Sequence, residues 1–187
     1  LGIRNRFLTK RDGGSQEWLT INSYFDWFQE DPEFDREFSN FYNEIYFHPV
    51  PWLEIGLETQ LPLLSKVGDF TEAVGSFRFM PSDSLELTLR HRFLNDHPIL
   101  QDSVRFEYGA FKRFNKDWGA GFSHRWELDD NILEYQQYSA HRTFENWVIS
   151  LGIFHRNHRY DNEFGAMIGF TLREFPSINL PFKMGAN

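Results

Sequence analysis

The chain contains no cysteine, so disulfide bonds and thiolate chemistry are excluded within it. It has no long hydrophobic run: no stretch approaches the ~20 apolar residues that a helix needs to cross a bilayer. Positive charge is scarce, with 19 Lys and Arg against 27 Asp and Glu and a net charge of -8. The basic footprint of a nucleic-acid binder is missing, and no nucleic-acid partner is expected. Nucleophile motifs of the G-x-S-x-G type and phosphate-binding glycine loops are absent as well. His155 and His158 stand three apart, which on a strand points them to opposite faces and makes a metal pair unexpected. Asp129-Asp130 and the acidic stretch Glu30–Glu37 read as solvated loops, with a Ca²⁺ or Mg²⁺ site as the less favoured reading. Glu54 and Glu58 share one strand face and read as lining charge, not as an acid/base pair. No enzyme, no metal and no cofactor is expected.

What the chain does have is aromatic residues, at 18% with 21 Phe, yet only 41% of it is hydrophobic and its mean hydropathy is -0.53. A helical membrane protein would be far more apolar. A membrane-spanning strand needs only about ten residues, with every second one apolar, so a barrel can be hydrophilic on average.

Alternation dominates the sequence. Leu85, Leu87, Leu89, His91 and Phe93 are interleaved with Glu86, Thr88, Arg90 and Arg92. Trp118, Ala120, Phe122, His124, Trp126 and Leu128 are interleaved with Gly119, Gly121, Ser123, Arg125 and Glu127. Trp147, Ile149, Leu151 and Ile153 oppose Ser150, Gly152 and Arg156, and Phe164, Ala166, Ile168, Phe170 and Leu172 oppose Glu163, Gly165, Gly169, Thr171 and Arg173. Residues two apart share a strand face, so each segment has an apolar and a polar side. Eleven strands follow, at roughly 1–11, 16–29, 38–48, 52–63, 69–80, 84–95, 101–114, 118–128, 131–142, 146–157 and 162–175. In 131–142 the pattern is blurred by Glu134, Gln136 and Gln137.

Connections alternate too. Short turns rich in Pro, Asn, Asp, Ser and Gly fall at Arg11–Gln16, Pro49–Pro51, Pro81–Asp83, Asn115–Asp117 and Phe144–Asn146, with longer loops such as Glu30–Glu37 and Asn95–Gln101 between them. After the short turns come Trp18, Trp52, Ser84, Trp118 and Trp147, spaced by 34, 32, 34 and 29 residues, about one hairpin each. Tryptophan at one level suits a membrane-interface girdle, and Trp126, eight residues beyond Trp118 on the same face, would sit at the opposite rim. His91, His124 and His155 fall at that second rim.

The fold expected is all-β: an antiparallel up-and-down transmembrane β-barrel, with about eleven strands here as part of a larger barrel. Residues 1–176 would form the barrel segment and 177–187 a C-terminal periplasmic tail. Arg90, Arg92, Arg105, Glu107, Arg125 and Glu127 would line a water-filled lumen, while Leu87, Leu89, Ile149, Leu151 and Ile168 would face lipid. Arg placed at Gly121 or Ser150 should then be tolerated better than Arg at a lipid-facing position. The opening Leu1–Phe7 reads as a strand already under way, so the chain is expected to be a fragment whose first and last strands do not pair with each other. The alternatives are a small outer-membrane pore or adhesin barrel, and a soluble β-sandwich binding module.

Leu1–Arg11 (LGIRNRFLTKR), Pro81–Phe93 (PSDSLELTLRHRF) and His141–Pro176, with Trp147 opening one strand and FTLREFP closing the last, resemble the C-terminal portion of the barrel in the lipopolysaccharide-assembly outer-membrane protein family (LptD, the organic solvent tolerance protein). Glu163-x-Gly165-x-x-Ile168-x-Phe170 resembles the C-terminal signal read by the barrel-insertion machinery of the outer membrane. The resemblance implies localisation in the bacterial outer membrane and transport and insertion of lipopolysaccharide or a similar glycolipid. It further implies a barrel-plugging lipoprotein as partner. A lateral seam would be formed on this side by the last strand, through Glu163, Gly165, Met167, Gly169, Thr171 and Arg173. The cysteine pair of well-known members is replaced here by Thr143-Phe144-Glu145-Asn146, so maturation through that pair is not implied.

Overall fold

The computed structural model describes residues 1–11, 13–29, 37–63, 70–157, 162–172 and 179–186. Among the described residues there are twelve strands and no helix: β1 Gly2–Arg11, β2 Gly14–Tyr24, β3 Phe41–Val50, β4 Leu53–Leu61, β5 Thr71–Ser82, β6 Leu85–Asn95, β7 Ser103–Arg113, β8 Trp118–Glu127, β9 Ile132–Thr143, β10 Trp147–Asn157, β11 Asn162–Leu172 and β12 Asn179–Ala186. They follow one another in sheet order from β1 to β12, and the order does not close. The eleven expected strands are all present, with ends shifted by a few residues. The twelfth corrects the expectation of a tail at 177–187. Asn179–Ala186 runs antiparallel along β11, with Thr171 opposite Asn179 and Phe164 opposite Ala186. Leu180, Phe182, Met184 and Ala186 do alternate with Asn179, Pro181, Lys183 and Gly185, but Pro181 has no N–H for a ladder and argues locally against a strand. The odd strand count behind the fragment expectation is replaced by an even one.

Turn chemistry fixes the hairpins. Arg11 pairs with Gly14 across a two-residue turn in which Gly13 has φ 81°, a conformation open to glycine without strain. Val50 pairs with Leu53, so Pro51 and Trp52 are themselves the turn. Asn115 Oδ1 accepts from the backbone N–H groups of Asp117 and Trp118 at 2.9 and 3.0 Å, closing the β7–β8 turn. At the other end of the strands the β8–β9 connection is also short. Asn131 has φ 52° and its N–H donates to Leu128 O at 3.2 Å. The expected contrast between short turns and long loops therefore fails at this hairpin.

The chain divides into two compact units, Leu1–Phe79 with Arg90–Arg105, and Met80–Leu89 with Phe106–Asn187. In the first, register places Phe7, Leu19, Phe47, Ile55 and Phe77 in one lateral row, and Ile21, Ile45 and Leu57 in the next. A bulge opposite Phe7/Leu8 leaves Trp18 as the extra residue on β2. Simple alternation would put Trp18 on the polar side with Thr20. The bulge returns it to the apolar side, where its ring lies 6.0 Å from Phe7 and 5.8 Å from Phe47. In the second unit, Ile149, Leu151 and Ile153 on β10 stand opposite Phe170, Ile168 and Ala166 on β11.

Among the described residues only Val74, Leu94 and Phe154 are buried large apolar side chains. A folded chain of this length would ordinarily bury most of its apolar surface in a shared core. Cross-strand pairing along the sheet holds these strands together.

Candidate functional site

The polar sides of the two units carry cross-strand hydrogen bonds and ion pairs. In the first, Asn22 Nδ2 donates to Glu44 Oε2 at 2.8 Å, and Tyr46 Oη donates to Glu58 Oε1 at 2.6 Å. Glu44 and Glu58 are directly opposite in register, which would be repulsive; each carboxylate is supplied with a donor. Gln60 Nε2 at 3.1 Å and Arg92 Nε at 2.6 Å both donate to Glu72. His48 Nε2 lies 3.5 Å from Glu54, beside the β3 bulge.

In the second unit, Arg125 Nε donates to Glu107 Oε1 at 2.6 Å, and Arg156 to Glu163 Oε2 at 3.0 Å. His141 Nδ1 lies 2.8 Å from Ser150 Oγ, and its Nε2 lies 3.0 Å from Ser139 Oγ. Thus Arg92, Arg125 and Glu107 sit in polar ladders, while Arg90 is exposed. Arg105 is half-buried, and Glu127 is 5% exposed at the end of β8.

Phe111 is the main departure from a simply charged lining. It lies on the polar side, its ring 5.4 Å from that of His141. A Cβ at Gly119 would come 2.7 Å from Phe111 Cζ, and one at Gly121 would come 3.3 Å from Phe111 Cδ2. The aromatic ring fills the space that glycine leaves, as aromatic residues do over strand glycines. Arg placed at Gly121 would have to displace the Phe111 ring or the backbone at Ala110 by a few tenths of an ångström. Ser150 is likewise engaged by His141.

The expected seam strand is corrected as well. Glu163 pairs with Arg156, Gly165 is buried opposite Phe154, and Met167 covers Gly152, where a Cβ would meet its Cγ at 2.9 Å. Gly169 and Thr171 stand opposite Ser150 and Val148, and Arg173 lies outside the described residues. Glu163, Gly165, Met167, Gly169 and Thr171 belong to β11, a strand paired with β10 along one edge and with β12 along the other. The terminal strand of the order is β12.

Of the expected girdle, Trp52, Trp118 and Trp147 are exposed at short-turn ends. Trp52 packs edge-on to Phe79 at 5.5 Å. The Arg142 guanidinium lies 5.1 Å from the Trp118 ring and 4.7 Å from the Phe144 ring, a cation–π arrangement that alternation did not reveal. Trp18 is half-buried near its turn. Trp126 is half-buried, and its indole nitrogen has no hydrogen-bond partner among the described residues. It stands beside a bulge in which Glu134 is the extra residue, so the alternation of β9 shifts there, while Gln136 and Gln137 lie in regular register on opposite sides of the strand.

The apolar sides change character away from the short turns. Ser23 Oγ donates to Asn43 at 2.8 Å, and Asn43 Nδ2 donates to Thr59 at 3.2 Å. His124 lies between the hydroxyls of Tyr108 and Tyr138, at 3.0 Å from each, and Gln136 reaches His155 at 3.5 Å. The sequence located the histidines but not the tyrosines flanking them, because partners on neighbouring strands follow from register alone.

Comparison with known protein families, with curated proteins and with solved structures finds no match to this chain.

Proposed function

We propose that this chain is part of a bacterial outer-membrane β-barrel that transports lipopolysaccharide or a similar glycolipid and inserts it into the outer leaflet, without covalent chemistry. The observation that carries the reading is an uncovered apolar strand face backed by a hydrogen-bonded polar one. On β10 and β11, Leu151 is 54% exposed, Ile153 48% and Phe164 57%, while the opposite side carries the Arg156–Glu163 and His141–Ser150 pairs. Lipid is the solvent that such an apolar face suits, and a wet interior suits the ladders. A soluble β-sandwich would need two sheets packed face to face, and the single sequential strand order speaks against it. Glycolipid as cargo, a plugging lipoprotein and the barrel-insertion machinery as partners rest on the family resemblance of the strand motifs.

The test is site-specific photo-cross-linking in the full protein in cells, with probes at Ser123 and Gln137 on the polar side and at Leu151 on the apolar side. Adducts with labelled glycolipid at the polar positions, and with bulk phospholipid at Leu151, are expected. Recovery of the protein in the soluble fraction without detergent would refute the membrane reading. Glycolipid adducts at Leu151 alone would refute the route.

A further inference from the structure

Between the β7–β8 and β9–β10 turns the second unit holds a hollow of about 560 Å³, lined by Lys116, Asp117, Arg142, Thr143, Phe144 and Glu145. Backbone hydrogen bonds fix its walls. Thr143 N–H donates to Asp117 O at 2.7 Å, tying the end of β9 to the β7–β8 turn, and Phe144 N–H donates to Trp147 O at 2.7 Å. Lys116 and Arg142 are both exposed, and neither has a salt bridge among the described residues. Aromatic rings position Arg142: its guanidinium lies 5.1 Å from the Trp118 ring and 4.7 Å from the Phe144 ring. The rings attract the charge, while the five N–H donors of a guanidinium match phosphate oxygens.

The sheet beneath this rim continues the site. Arg142 shares the apolar side with Trp118 and Ile149, and one row further in stand Ala120, Ala140 and Leu151. Phe122, Tyr138 and Ile153 form the row after that. The two adjacent alanines lower the surface between bulkier rows, which leaves room for a glycerol and the first methylenes of a lipid. A free anion would use the cations and nothing below them. A lipid without phosphate would use the alanines and gain nothing from Lys116 and Arg142. A phospholipid uses both, and the exposed Asp117 in the same lining favours a headgroup that also carries an amine. We infer that this rim seats one amine-bearing phospholipid, its phosphate on Lys116 and Arg142 and its glycerol over Ala120 and Ala140. The inference rests on the membrane reading, under which the short-turn end is where the apolar band meets water.

The experiment is native mass spectrometry of the full protein in neutral detergent micelles. Phosphatidylethanolamine, phosphatidylglycerol and diacylglycerol of matched chains are the probes, and inorganic phosphate is the competitor. Retention of one phosphatidylethanolamine is expected, with phosphatidylglycerol held more weakly, diacylglycerol not held, and no displacement by millimolar inorganic phosphate. Lys116→Gln combined with Arg142→Gln should weaken retention about tenfold or more, with the far-ultraviolet strand signal unchanged. Lys10→Gln, an exposed cation beside the β1–β2 turn, should leave retention unaltered. Diacylglycerol held as well as phospholipid, tighter retention of phosphatidylglycerol, displacement by inorganic phosphate, or an equal loss in Lys10→Gln would each overturn the inference. Failure of the two readings is separable. A protein that enters vesicles but retains no phospholipid overturns this site alone, whereas recovery in the soluble fraction without detergent sinks the membrane reading and the site with it.

Discussion

Leu151 stands between Ala140 on β9 and Ile168 on β11, with its side chain half in the open. If that side meets lipid, Leu151→Arg should cost roughly 2–4 kcal/mol at mid-depth, while Ser123→Arg on the polar side should cost less than about 1 kcal/mol. Denaturant unfolding of the protein refolded into vesicles measures both, and equal costs would argue against a membrane face. Gly119 makes the opposite kind of demand. Its missing Cβ is the seat of the Phe111 ring, so Gly119→Val should destabilise by about 1–3 kcal/mol through overpacking. In the Phe111→Ala background the same substitution should cost much less. A double-mutant cycle with no coupling would disprove that contact.

At the level of the strand, β9 is unusual. Toward the side where β10 shows Ile149, Leu151 and Ile153, it presents Arg142, Ala140 and Tyr138, and toward the other side Thr143, His141 and Ser139. It is polar on both sides, and its neighbours supply what holds it: Arg142 against Trp118, Tyr138 against His124, His141 against Ser150. The ladder ion pairs contribute less than their short distances suggest. Arg125 and Glu107 are 43% and 34% exposed at their side chains, so solvent screens them. A double-mutant cycle of Arg125→Met with Glu107→Gln should return about 0.5–1 kcal/mol. A coupling several times larger would mean that the polar side is drier than its exposure implies.

For the molecule as a whole, the expected consequence of one uncovered apolar side is dependence on detergent or lipid. Tryptophan reports this directly. In vesicles of lipids brominated near the headgroup, fluorescence from variants retaining only Trp118 or only Trp147 should be strongly quenched. Trp27, 68% exposed in the β2–β3 connection, should be quenched less. Equal quenching of all three would remove the girdle from the reading. β12 ends the strand order, with no strand paired to its outer edge among the described residues. In hydrocarbon each unpaired backbone group costs several kcal/mol, so a pairing strand is required wherever that edge meets lipid.

The sequence by itself determined the strands, their number to within one, and which residues share a side, because a side-chain period of two is a property of the extended backbone and needs no neighbour to express it. It also placed most turns, since Gly13 and Asn115 act through their own local geometry. Register was decided by tertiary structure. Only cross-strand pairing could carry Trp18 to the apolar side through a bulge, set Phe111 over two glycines of the next strand, and lodge His124 between two tyrosines. Asn179–Ala186 carries the same period of two in Leu180, Phe182, Met184 and Ala186, but only pairing with β11 shows that a segment interrupted by Pro181, which has no N–H for the ladder, joins the sheet as a strand.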